Sequence, residues 1–237
     1  MTAEASLYAA ATVALQELCA AVRNSATRHA IGNSVSELCH HVFTVGAVVT
    51  KLIGISGSLR RGSLNTALLR AAAEFVPNGA ELTVETIHGI PLYDADVETA
   101  DGIPERVSAL KEAIVAADGL LLATPEYNNS IPGVFKNAVD WLSRPPADIG
   151  KVFGGKPVAV LGASPGGFGT VLSQHAWLPV LRTLGTTPWH GGRLLVSRAG
   201  SVFDEAGRLA SDTTKEQLRQ FIEGFVAFVR RVRDLER

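Results

Sequence analysis

Between Gly57 and Asn65 the chain reads Gly57-Ser58-Leu59-Arg60-Arg61-Gly62-Ser63-Leu64-Asn65 and then runs directly into a helical pattern. Small, hydroxylated and basic residues in this position suit the holding of an oxyanion. A helix N-terminus offers unpaired N–H groups and the positive end of its dipole, glycine lets the backbone come close, and Ser and Arg add donors. The nucleotide pattern G-x-x-x-x-G-K-[ST] is absent, as is G-x-G-x-x-G at this point, so neither a P-loop nor a dinucleotide fingerprint is present. The same stretch also describes a solvated strand-to-helix turn in which Asn65 caps the helix.

Two further loops follow apolar runs and carry polar or glycine residues. The second is Pro125-Glu126-Tyr127-Asn128-Asn129-Ser130-Ile131-Pro132-Gly133, which continues into Phe135-Lys136-Asn137-Ala138-Val139-Asp140-Trp141. The third is Gly162-Ala163-Ser164-Pro165-Gly166-Gly167-Phe168-Gly169-Thr170. By themselves Tyr127 is compatible with an ordinary loop aromatic, Glu126 with a solvated charge, and the third loop with a glycine-rich turn. Phe135 and Trp141, at helical spacing, are expected to pack in the core.

Together, G-S-x-R-x-x-S-x-N, P-E-Y-N-x-S-x-P-G and K-N-A-x-D-W make residues 50–200 resemble the NADPH-dependent FMN reductases, a flavodoxin-like family that includes quinone, chromate and azo-dye reductases. The resemblance implies that Ser58, Arg60, Ser63 and Asn65 hold the FMN phosphate, with Leu64 also among the cofactor-binding residues. It implies that Pro125, Glu126, Tyr127 and Asn128 lie along the isoalloxazine ring, with Tyr127 near the flavin or a subunit interface, and that Ser164, Gly166 and Gly167 border it. Glycine there brings backbone N–H donors close to a planar ring. The implied chemistry is hydride transfer from NADPH or NADH to flavin N5 and onward reduction of a small-molecule acceptor, with no side chain as the catalyst. It also implies a homodimer or homotetramer. The chain departs from its relatives in the helix after the third loop, where they often carry an arginine and it reads Val171-Leu172-Ser173-Gln174-His175. The resemblance therefore does not set a preference between NADPH and NADH. A flavin-binding electron carrier or sensor, and a flavodoxin-like interaction module without cofactor, are the competing readings.

The elements that must position these loops follow from the hydrophobic pattern. Short apolar runs alternate with helical stretches from Lys51 onward, as in βαβ units around a parallel sheet. Leu52-Ile53-Gly54-Ile55 predicts the first strand, and Thr66 to Val76 a helix ended by Pro77-Asn78-Gly79. Glu81 to Ile87 alternates, as an edge strand does. Gly119 to Ala123 and Pro157 to Leu161 are unbroken apolar runs, as in strands covered on both faces. Helices are predicted from Ile103 to Ala116, Pro132 to Leu142, Thr170 to Leu184 and Thr213 towards Leu235, with Arg193 to Val196 as the fifth strand. Five parallel strands in the order 2-1-3-4-5, with helices on both faces, place a ligand at the carboxyl ends of strands one and three, where the first two loops lie.

The 237 residues, 46% hydrophobic and 19% charged, supply ample material for a core. A net charge of -1 gives no positive field for nucleic acid and no strongly acidic face of the kind electron shuttles use to dock. Cys19 and Cys39 both precede Lys51, so no disulfide supports the later scaffold. No apolar run reaches the ~18 residues of a membrane span, and the N-terminus has no basic segment of the secretory type, so a cytoplasmic protein is expected. Residues 1–48 form an Ala-rich extension with helix-like stretches at Leu7–Val22 and Val35–Val42. Met1 is the only methionine, and a valine start is compatible with an alternative GTG codon, so the natural product is expected to begin near Val48 or Val49. His29, Cys39, His40 and His41 match no zinc spacing. Arg230, Arg231 and Arg233 are expected to form the solvated face of the last helix, and His175 and His190 to be helix and loop residues.

Overall fold

The computed structural model describes residues 49–235. The readings made for the N-terminal extension, including its helical stretches and its His and Cys residues, lie outside the described residues. Strand β1 (Thr50–Ser56) leads to helix α1 (Leu64–Glu74), β2 (Ala80–Thr86), α2 (Ala95–Asp101), α3 (Glu105–Ala116) and β3 (Gly119–Ala123). There follow α4 (Gly133–Leu142), a short α5 (Ile149–Val152), β4 (Pro157–Ala163) and α6 (Val171–Thr183). Two short strands, β5 (Thr187–Pro188) and β6 (Leu194–Val196), and the long α7 (Asp212–Leu235) complete the domain. All strand pairs are parallel and the order is β2-β1-β3-β4-β5, as the apolar pattern predicts.

The alternation of side chains along each strand divides the core in two. Leu52, Leu121 and Leu161 face one layer, made by α1 and α7 through Leu68, Leu69, Phe221 and Phe225. Ile53, Ile55, Leu120, Leu122 and Val158 face the other, made by α3, α4 and α6, where Phe135, Trp141 and Trp177 are fully enclosed. Burying these rings stabilises the fold by roughly 1.5–3 kcal/mol per large side chain. Phe135 stacks edge-on against Trp177 with centroids 4.9 Å apart, which locks α4 to α6 beneath the second loop.

The sheet differs from the expectation at its far edge. The fifth position is filled by both β5 and β6, each pairing with β4. Between them the chain turns around Trp189, whose indole lies 5.1 Å from the Phe221 ring, and Gly191, Gly192 and Gly224 leave the space it occupies. Helix α2 was not legible because it buries no residue and so has no apolar stripe; Asp94 caps it and Gly102 ends it at φ 79°. The arginines of α7 are also not uniformly solvated. Arg230 donates to Thr50 Oγ1 and to the Asn78 carbonyl, and Arg233 lies 3.6 Å from Asp118. Among the described residues no helix is long and apolar enough to cross a membrane.

Candidate functional site

Because β1, β3 and β4 are parallel, the loops that follow them emerge at one edge of the sheet. Gly57 N–H donates to the Ala123 carbonyl and Thr124 N–H to that of Leu161, so the ladder continues one step past the strands before the loops part. Gly57 is obligatory for steric reasons: a Cβ there would stand 2.0 Å from Cδ1 of the buried Phe135. The first loop therefore begins pressed onto α4.

From Gly57 to Thr66 the backbone N–H groups that find a protein acceptor are those of Gly57, Arg60 and Thr66. Among the described residues, no acceptor is found for the N–H groups of Ser58, Leu59 and residues 61–65. Ser63, not Asn65, caps α1: its Oγ accepts from Thr66 N–H at 3.1 Å. Ser58 is buried and its Oγ accepts from Arg60 N–H at 3.3 Å. Each serine thus keeps a hydroxyl hydrogen to donate. Arg60 and Arg61 are exposed.

Asn65 has a different task from capping. Its Nδ2 donates to the Ala163 carbonyl at 3.0 Å and its Oδ1 accepts from Ala163 N–H at 2.9 Å. A side-chain amide here imitates a strand neighbour, tying the first loop to the start of the third. Among the described residues its backbone N–H, like that of Leu64, meets no acceptor at the helix N-terminus. His88, which sequence reasoning passed over, braces the same loop with Nε2 3.0 Å from the Leu59 carbonyl and Nδ1 3.1 Å from Thr86 Oγ1. A carbonyl only accepts, so Nε2 carries the hydrogen.

The second loop closes as a two-residue hairpin: Tyr127 and Ser130 exchange both backbone hydrogen bonds, with Asn128 and Asn129 at φ 50° and 62°. Asparagine tolerates this left-handed pair, which explains the Asn-Asn step. Tyr127 is about half exposed, at 47%. Behind Pro125 runs a fully buried hydroxyl cluster: Trp177 Nε1 donates to Thr124 Oγ1 at 3.0 Å, Ser173 Oγ lies 2.7 Å from it, and the Pro125 carbonyl 2.9 Å. The Glu126 carboxylate accepts from Leu172 and Ser173 N–H. Thr124, Ser173 and Trp177 carried no recognisable signal in sequence, since only the fold brings them together.

In the third loop Ser164 N–H donates to the Val196 carbonyl, and the Ser164 and Gly166 carbonyls accept from Ala199 and Arg198. Gly167 has open space around it, and Phe168 projects at 77% exposure. Thr170 is fully buried at φ 68°, an unusual conformation for a β-branched residue. Its side chain fills the space beside Gly162, where a Cβ would lie 2.1 Å from Thr170 Oγ1.

A connected set anchors the segment after β2. Glu98 accepts from Arg144 Nε at 2.8 Å and from the Tyr93 hydroxyl at 2.9 Å. The Arg144 hydrogen bond holds Glu98 below the usual carboxylate range, and the bond to Glu98 raises Tyr93. Trp141 and Asn137 of α4 both donate to the Pro91 carbonyl. Among the described residues no group of three or more His, Cys, Asp or Glu could hold a metal ion.

A doubly wound parallel sheet in the order β2-β1-β3-β4-β5, with a loop rich in serine, glycine and arginine at its switch point, defines an α/β protein of flavodoxin-like fold. The chain belongs to the NADPH-dependent FMN reductase family, whose model matches residues 50–201. It is 46% identical over 183 residues to an NAD(P)H-dependent FMN reductase of Pseudomonas aeruginosa, covering 77% of this chain and 97% of the relative. It is 38% identical over 180 residues to a 2-hydroxy-1,4-benzoquinone reductase of a Burkholderia species, covering 76% and 96%. The solved flavoenzyme NAD(P)H:(acceptor) oxidoreductase FerB of Paracoccus denitrificans superposes with a TM-score of 0.69 at 33% identity, covering 77% of this chain and 98% of that one.

Proposed function

We propose that this chain binds FMN at the carboxyl edge of its sheet and passes electrons from NADPH or NADH to a small quinone-type acceptor. The observation that carries the reading is the row of unpartnered N–H groups between Ser58 and Asn65 at the head of α1. Backbone donors on one short loop that find no acceptor among the described residues fit a phosphate monoester, whose oxygens accept several hydrogen bonds and whose charge suits the helix dipole. The Ser58 and Ser63 hydroxyls and the exposed Arg60 complete the donor set, with Leu64 and Asn65 contributing through the backbone.

Pro125, Glu126, Tyr127 and Asn128 would line the ring with backbone held in place by the Thr124 cluster. Ser164, Gly166 and Gly167 would border it from the third loop, where glycine allows close approach. FMN when bound supplies the hydride and electron chemistry. The protein's part is to orient the ring, donate hydrogen bonds to its heteroatoms and leave a face open to donor and acceptor in turn. The quinone assignment is supported by the relatives' activities, and chromate or azo compounds are further candidate acceptors. We place the protein in the cytoplasm as a homodimer or homotetramer, with residues 1–48 as an extension outside the catalytic domain. The family match beginning at residue 50 supports that boundary.

The test is anaerobic mixing of FMN-reconstituted protein with NADPH and with NADH while flavin absorbance is followed, then addition of benzoquinone. Bleaching and quinone-dependent return are expected. FMN that binds but does not bleach identifies a carrier or sensor, and protein that takes up no FMN excludes the flavin reading altogether. Light scattering after size exclusion reads the oligomeric state.

A further inference from the structure

Helix α6 begins beside the second loop without a cap of its own. Its N-cap residue, Thr170, makes no side-chain capping bond. Val171 N–H reaches the Phe168 carbonyl and Gln174 N–H that of Thr170, which leaves the N–H groups of Leu172 and Ser173. Glu126 Oε2 accepts both, at 2.9 and 3.0 Å. A carboxylate from the second loop thus closes the end of a 13-residue helix that follows the third loop.

The charge matters as well as the hydrogen bonds. A helix N-terminus carries about half a positive charge, confined to its first turn. At α6 the Glu126 carboxylate offsets it, whereas at α1 no acidic residue occupies the first turn. Two helix ends on one edge of the sheet are therefore electrostatically unlike.

We infer that Glu126 is a positioning residue that neutralises the head of α6, joins the second loop to that helix, and sets the electrostatic environment of the flavin ring through a fixed negative charge. The sequence motif places Glu126 among the ring-contacting residues; the structure assigns its carboxylate to α6 and leaves only its backbone for the ring. This inference rests on the FMN reading above. A fixed negative charge near the ring disfavours the reduced, more electron-rich cofactor, so removing it raises the reduction potential.

Glu126→Gln keeps an amide oxygen able to accept the same two N–H groups while removing the charge, and Glu126→Asp keeps the charge. The experiment measures FMN affinity of each apoprotein by fluorescence quenching, the two-electron midpoint potential of each reconstituted protein, and thermal unfolding. For Glu126→Gln a roughly tenfold relative gain in binding of reduced over oxidised FMN is expected, read as a potential about 30 mV more positive. Glu126→Asp is expected to keep the wild-type potential. A Gln variant that loses thermal stability yet keeps the wild-type potential has lost only a structural cap, and this overturns the inference. An Asp variant shifted as far as the Gln variant overturns it too. Wild-type protein that takes up no FMN overturns the flavin reading itself, and this inference with it.

Discussion

The head of α1 and the head of α6 lie on the same edge of the same sheet and are finished in opposite ways. At α1 Ser63 caps one N–H with its side chain, and among the described residues the Leu64 and Asn65 N–H groups meet no acceptor. At α6 every first-turn N–H has an acceptor, two of them on the Glu126 carboxylate. The first end is the one we propose for the FMN phosphate; the second carries a carboxylate of the chain itself. The same division holds for the loops. The first loop is held by Gly57, Asn65 and His88, while the second sends the Glu126 carboxylate onto α6 and leaves Tyr127, Asn128, Asn129 and Ser130 exposed. In the proposed flavin site, the phosphate and the ring would meet these two different arrangements.

The largest effect that would break this contrast is at Gly57. Gly57→Ala places a methyl into the Phe135 ring, and overpacking of that severity costs about 3 kcal/mol. Urea unfolding should show that loss with FMN affinity falling alongside it, and a Phe135→Leu partner change should recover part of it. An Ala variant of wild-type stability would mean that the loop does not press on α4.

Next is the buried cluster under the second loop. Thr124→Val leaves Trp177 Nε1–H and the Ser173 hydroxyl without their shared partner, at a cost of about 2 kcal/mol. Adding Trp177→Phe should cost less than the sum of the two single changes, because both remove the same bond. Strict additivity in the double-mutant cycle would separate the two residues.

At the first loop the expected loss is in binding rather than stability. Arg60→Ala removes an exposed charge, so unfolding should move by less than about 0.5 kcal/mol. FMN affinity measured by fluorescence quenching should fall roughly tenfold, about 1.4 kcal/mol. Unchanged affinity would take Arg60 out of the phosphate site.

The smallest effect is the pH response of the Glu98 network. Arg144 holds the Glu98 carboxyl below its ordinary value, so the stabilisation is present above about pH 4.3, the ordinary glutamate pKa, and is lost as pH falls through the lower folded value. Glu98→Gln should flatten the acid limb of the melting temperature against pH. An equally steep limb in the variant would assign acid sensitivity to other carboxylates.

Much of the fold could be read from the chain because period and length are local properties. The all-apolar runs of β3 and β4 marked central strands, the alternation of β2 marked an edge, and α1, α3, α4, α6 and α7 began within about two residues of where their patterns place them. The split fifth strand was not legible, because the detour around Trp189 exists only where Phe221 and Phe225 of α7 receive the indole. Helix α2, which buries no residue, gave no periodic signal.

For the site, residue types and spacing alone determined that three polar or glycine-containing loops end three strands at one edge of the sheet, the first of them of a composition that suits an oxyanion. Which atoms remain free to bind it was decided by tertiary structure. Ser63 rather than Asn65 caps α1 because the Asn65 amide finds the Ala163 backbone, far away in sequence. Glu126 faces α6 because that helix arrives with two N–H groups unsatisfied. A buried polar group must find a partner, and which partner it meets depends on how distant segments pack, which no local pattern encodes.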